Sequence, residues 1–218
     1  MENTMPKITN SACLEGEIAN EITQFENKGE VFYEFKLDVP RLSGTVDTIP
    51  VTISKNLVNS RSIALKEGTT LNLRGEFRSR NAQENGASHL HLFFFAKDIL
   101  PPTKEKCNNV YLHGFLCKPP VFRETPFKRQ ICDILLAVNR PANHKSDYIP
   151  CIVWGRHANL AKSLPIGTRI SVTGRMQSRK YTKQFENGEI ENKVAYEVSI
   201  NNMEIENMPY SADNQEEA

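Results

Sequence analysis

Between Ser146 and Arg156 the chain reads SDYIPCIVWGR. In extended backbone, residues i, i+2 and i+4 share a face, so Tyr148, Pro150, Ile152 and Trp154 point one way and Ile149, Cys151 and Val153 the other. The second set is small and aliphatic, as a narrow core requires, whereas the first carries two large aromatics with Arg156 just beyond them. Exposed aromatic rings beside arginines stack on nucleobases, and each stacked base contributes about 1–3 kcal/mol. Trp154 is the only tryptophan of the chain. A lone tryptophan is more often a core residue than a platform, so the surrounding elements must decide its role.

Rival chemistry is weakly supported. His89 and His91 share a strand face in HLH, but two histidines without a third ligand nearby are a poor metal signal. Gly75 and Gly174 are isolated glycines in strand-like sequence, the pattern of bulges at barrel corners rather than of phosphate loops. No nucleophile–base pair and no paired carboxylates stand out, and the chain reads as a non-enzyme without cofactor or metal. The five cysteines, Cys13, Cys107, Cys117, Cys132 and Cys151, form no C-x-x-C pair and read as reduced thiols. No apolar run approaches the roughly 20 residues of a membrane helix, and MENTMPKITN lacks a signal-peptide layout, so a cytoplasmic protein is expected.

The formal net charge of +1 hides a partition. Residues 1–107 sum to −1, residues 108–203 to +7, and the last fifteen residues carry five carboxylates and no base. A basic body in the second half is the electrostatic footprint expected of a polyanion partner.

The elements that position the aromatics emerge from self-comparison. DTIPVTIS at Asp47–Ser54 matches DYIPCIVW at Asp147–Trp154, and EGTTLNLRGEFRSRN from Glu67 matches IGTRISVTGRMQSRK from Ile166. CLEGEI around Gly16 matches LHGFL around Gly114, LDVPR ending at Arg41 matches LAVNR ending at Arg140, and ENG recurs at Glu84 and Glu186. Ordered landmarks of this kind indicate two copies of one fold. In the second copy NNVYLHGFL, QICDILLAVNR and DYIPCIVWG read as strands, RHANLAKSL as a helix and GTRISVTGRMQSRKY as a fourth strand; Asn187-Gly188 then signals a hairpin into KVAYEVSINNMEI. Three strands, a helix and a hairpin follow the order of the OB-fold. The expectation is an all-β protein of two tandem OB-fold five-stranded Greek-key barrels, each with one short helix. Residues 1–9 form an N-terminal extension, 10–103 the first barrel, 104–107 a linker, 108–207 the second barrel and 208–218 an acidic tail. Pro150 suggests an edge, a bulge or a strand start, because it cannot donate a ladder bond.

LHGFLCKPPVFRETP, LLAVNRP, DYIPCIVWGRHANLAKSLPIGTRISVTGRMQSRKY and AYEVSINNMEI resemble successive blocks of the bacterial single-stranded DNA-binding protein family. The resemblance covers nearly the whole second copy and is fainter in the first. It implies a chain that binds single-stranded DNA with little sequence preference, in replication, recombination, repair or mobile-element transfer. Carried over position by position, the stacking sites fall on Tyr148, Trp154 and Tyr181, and the basic positions on Arg123, Arg140, Arg156, Arg179 and Lys180, with Arg175 in the same basic cluster. Tyr196 could equally cap the core and is left out. Single-barrel members assemble as tetramers, which implies a homodimer of four barrels or a pseudo-dimeric monomer here. The family's acidic tail ends in a hydrophobic tip that recruits partners, and Glu216-Glu217-Ala218 lacks one.

The two copies differ where function is expected. Tyr148 corresponds to Thr48, Trp154 to Ser54 and Tyr181 to Ala82. The first barrel is therefore expected to be degenerate and chiefly structural. The competing expectation is that it binds through other aromatics, Phe32, Tyr33 or Phe93–Phe95. Rival functions are a protein-interaction scaffold built on OB barrels and a single-stranded RNA-binding factor.

Overall fold

The computed structural model describes residues 8–207 except 85, 86, 104, 105, 142–144, 185–187 and 189. The N-terminal extension up to residue 7, the acidic tail from residue 208, part of the linker and most of both ENG turns, including Asn187, lie outside the described residues.

The first half contains β1 (Asn10–Ile18), β2 (Thr23–Asn27), β3 (Glu30–Pro40), β4 (Val46–Ser54), α1 (Lys55–Ser60), β5 (Thr70–Glu84) and β6 (Ala87–Leu100). The second repeats that order with β7 (Asn108–Leu116), β8 (Val121–Glu124), β9 (Gln130–Asn139), β10 (Ser146–Trp154), α2 (Gly155–Ala161), β11 (Arg169–Gln184) and β12 (Ile190–Asn207). The short strands β2 and β8 are additions to the expected five; each forms a hairpin with the strand that follows it.

Each half closes on itself. β1 pairs with β3 at one end and with β5 along its length, β3 pairs with β4, β4 runs parallel to β6, and β6 returns to β5. The second half closes identically through β7, β9, β10, β12 and β11. This is the two-barrel OB architecture expected from the repeat. Inward-facing aliphatics fill both interiors, among them Leu14, Leu37 and Ile53 in one and Leu112, Leu136 and Val153 in the other.

Pro150 is not at an edge: β10 lies between β9 and β12. The parallel pairing with β12 involves only Cys151 and Ile152, so the flank at Pro150 demands no ladder bond, and Pro50 likewise precedes a short parallel pairing, which runs from Val51 to Ile53. Gly75 and Gly174 sit at register shifts in the long hairpins. A Cβ on Gly174 would lie 2.2 Å from the carbonyl oxygen of Ser199, and one on Gly75 would lie 2.1 Å from that of Phe95. These glycines are required by close strand approach.

The barrels join through an antiparallel pairing of β1 with β7 in which Ala12 faces Val110. Gly16 and Gly114 are equivalent in the repeat, so Ala12 and Val110 are each other's counterparts. A pseudo-two-fold axis therefore runs between them, and one chain builds what two identical subunits would build by symmetry.

Candidate nucleic-acid interface

The parity read from SDYIPCIVWGR holds. Ile149, Cys151 and Val153 are buried in the barrel core, while Tyr148 keeps 44% of its surface exposed. Ile152, on the Tyr148 face, is nonetheless covered. Trp154 is half-buried and stands at the N-cap of α2, where no side-chain cap is made. In the first copy Ser54 holds this place and accepts from the amide of Asn56, an ordinary helix cap. Replacing such a cap by an aromatic forfeits about 1 kcal/mol of local stability, a sacrifice of the kind found at functional positions. The indole N–H of Trp154 instead donates to Oγ of Ser199 at 3.0 Å, which fixes the ring against β12.

Tyr181 lies on the extended part of β11, exposed, with the Arg179 guanidinium 5.7 Å from its ring centroid. It does not join Tyr148 and Trp154 on one barrel. The β11–β12 hairpin reaches over the first barrel, so Tyr181 lines a cleft of about 580 Å³ with Thr52, Arg80, Leu90 and Phe93. Those four residues also line a neighbouring cleft of about 490 Å³ that contains Tyr148. The two tyrosines thus flank one stretch of the first barrel.

The basic residues divide by their partners. Arg156 and Lys180 are exposed and form no ion pair with any described residue. Arg179 is 3.8 Å from Glu197 and half-exposed. Arg123 makes a two-pronged pair with Asp133 at 2.7 and 3.1 Å on the surface. Arg140 is committed elsewhere: its Nε and Nη2 donate to the buried carboxylate of Asp147 at 2.6 and 2.5 Å, and Nη2 also donates to the carbonyl of Ser79. Hydrogen bonding to Asp147 raises the Arg140 pKa above its usual value. Arg175 is 3.4 Å from Asp47, which Arg41 also holds. Burial, followed by the nearby Arg41, lowers the Arg175 pKa.

The carboxylates Asp47 and Asp147 belong to the duplicated Asp-x-Ile-Pro strand, and sequence reasoning assigned them nothing. They fasten the barrels together beside the β1–β7 pairing. The amide of Ser79 donates to Asp147 and the amide of Ser178 to Asp47, at 2.6 and 2.7 Å.

The first barrel carries its own aromatics. Phe94 is fully buried, and its neighbours Phe93 and Phe95 face outward. Phe25 and Phe32 stack at 5.5 Å, Phe32 and Phe95 meet at 6.1 Å, and the Arg78 guanidinium sits 3.9 Å over the Phe95 ring. Tyr33 packs against the core. Phe25 escaped the sequence reading because β2, which carries it, is too short to show a period.

Geometry and sequence blocks converge on comparison with known proteins. Residues 107–206 match the single-strand binding protein family. The resemblance drawn from the quoted blocks therefore holds for the second half. Single-stranded DNA-binding protein 1 of Lactococcus lactis subsp. lactis (strain IL1403) is 40% identical over 83 residues, covering 35% of this chain and 55% of that protein. Single-stranded DNA-binding protein A of Bacillus subtilis (strain 168) is 40% identical over 83 residues, covering 35% and 48%. The chain thus spans about half the length of these relatives. Across both halves, the wild-type single-stranded DNA binding protein from Thermus aquaticus superimposes with a TM-score of 0.71 at 18% identity, covering 93% of this chain and 95% of that one. That likeness shows that the two-barrel fold is shared end to end.

Proposed function

We propose that this protein binds single-stranded DNA with little sequence preference and shields it during replication, recombination, repair or mobile-element transfer. The observation that carries the reading is the exposed pair Tyr148 and Tyr181, with the half-buried Trp154, within the half that matches the family. Stacking is indifferent to base identity because every base presents a π-face. Arg156, Arg179 and Lys180 supply phosphate contacts, and Arg123 joins them by exchanging Asp133 for a phosphate. Arg140, which Asp147 holds and which donates to the Ser79 carbonyl of the first barrel, and Arg175, which reaches Asp47 of the first barrel, act instead as ties between the barrels. The chain works in the cytoplasm without catalysing a reaction, as a pseudo-dimer that pairs into a four-barrel assembly. No described helix is long and apolar enough to cross a membrane.

The test is titration of Trp154 fluorescence with unstructured oligothymidine at low salt. Quenching that saturates and weakens as salt rises is expected; no quenching overturns the reading. An RNA oligomer that binds more tightly than its DNA counterpart would reassign the ligand.

A further inference from the structure

Loss of Tyr148, Trp154 and Tyr181 counterparts makes the first barrel look idle, but strand registers show a relocation. In the second barrel Trp154 lies directly opposite Ile131, and its indole reaches Ser199. In the first barrel the residue directly opposite Ser54 is Phe32. The long hairpins align on their bulged glycines: Gly75 is followed by the pair Glu76 and Phe95, and Gly174 by the pair Arg175 and Ser199. Phe32 therefore stands where the second barrel has Ile131, Phe95 where it has Ser199, and Ser54 where it has Trp154. The same place on the barrel wall is aromatic in both copies. One copy supplies the ring from the third strand, the other from the second and fifth.

The hairpin strand β2 extends the surface. Phe25 pairs with Phe32 as Arg123 pairs with Ile131, so a ring replaces a surface arginine and stacks on Phe32. Phe32 is nearly covered and acts as backing, which leaves Phe25, Phe93 and Phe95 to offer ring surface. Arg78, whose counterpart is Gln177 in the hairpin alignment, lies over Phe95 and is bound by Glu76. It orients the ring. Arg80 is exposed beside Phe93, and its pairing with Glu34 at 3.2 Å is a surface one that a phosphate can displace. The cleft lined by Phe25, Phe93 and Phe95 also contains Tyr148 and Lys145 of the second barrel.

We infer that the first barrel is a second base-stacking site for single-stranded nucleic acid, built on Phe25, Phe93 and Phe95, and that a bound strand passes directly from it to Tyr148. This rests on the single-strand reading above. It replaces the expectation of a merely structural first barrel, and it accounts for an aromatic cluster on a half whose overall charge does not favour a polyanion.

The experiment compares the unaltered full chain with F25A/F95S, in which the serine is the second barrel's own residue at that place, using oligothymidines of increasing length. Trp154 quenching by short oligomers should be unchanged in the variant. For oligomers long enough to span both barrels, affinity should fall about 5-fold or more, and fewer nucleotides should be occluded per chain at saturation. Normal quenching with an unchanged length dependence overturns the second site alone, whereas no quenching of the unaltered chain overturns the single-strand reading itself. Photocrosslinking of iododeoxyuridine oligomers to the unaltered protein tests the site without any substitution. Adducts on Phe25, Phe93 or Phe95 are expected, and adducts confined to Tyr148, Trp154 and Tyr181 refute it.

Discussion

The backbone amide of Ser79, in the first barrel, donates to the buried carboxylate of Asp147, in the second, at 2.6 Å. Oγ of Ser79 in turn accepts from the amide of Tyr148 at 2.8 Å. The residue that orders the strand under Tyr148 therefore comes from the other barrel, and Ser178 repeats the arrangement toward Asp47 and Thr48. The face that carries Tyr148 and the inter-barrel joint are parts of one structure.

Arg140→Ala should act on stability and leave phosphate contacts intact. Asp147 is almost wholly buried, and removing the partner of a buried charge costs about 3 kcal/mol. A lower urea midpoint with an unchanged salt dependence of DNA binding is expected. A salt slope reduced by one contact at unaltered stability would return Arg140 to the DNA interface.

Arg179→Ala and Lys180→Ala should do the opposite. Each phosphate contact on a single strand contributes a slope of about −0.7 in log K against log salt. Each substitution should flatten the slope by about that amount with little change in thermal stability.

At Trp154, alanine and phenylalanine should separate stacking from positioning. Trp154→Ala should weaken binding by about 1–3 kcal/mol, measured by anisotropy of a labelled oligomer. Trp154→Phe keeps a ring while giving up the hydrogen bond to Ser199 and part of the stacking area, so it should lose less.

Gly174→Ala should be among the most destabilising single-methyl additions. The new carbon would meet a backbone oxygen at 2.2 Å, and the strand has to shift to admit it. Overpacking costs typically 1–3 kcal/mol and occasionally more, and the upper end is expected here, read from thermal or urea unfolding.

Glu76 sets part of the acid stability. Burial pushes its carboxyl upward, but hydrogen bonds from Lys97 and Arg78 outweigh that and hold it below its ordinary value. A depressed folded pKa stabilises the native state fully above the unfolded value of about 4.3, and this contribution is lost as pH falls through the folded value. The stability difference between the parent and Glu76→Gln should be present at neutral pH and should close below about pH 4.

Much of this was legible in the chain itself. β7 spans the expected NNVYLHGFL, and the parity of Tyr148 with Trp154 was readable because a strand's period of two survives without tertiary knowledge. The engagement of Arg140 with Asp147 was not legible, because an arginine destined for a buried aspartate has the same local signature as one destined for a phosphate. The place of Tyr181 was missed for a related reason: nothing local shows that a hairpin will lie over the neighbouring barrel.

Duplication and periodicity, both properties of residue order, were enough to establish two barrels of one type and a core of alternating aliphatics. Folding alone decided which residues meet across the chain: Asp47 with Ser178, Asp147 with Ser79, and Phe25, Phe32 and Phe95 from three separate strands. Position-by-position comparison reported three lost aromatics in the first copy. Hydrogen-bonded register placed other rings over the same wall, because a barrel surface is assembled from neighbouring strands and a ring can reach it from any of them.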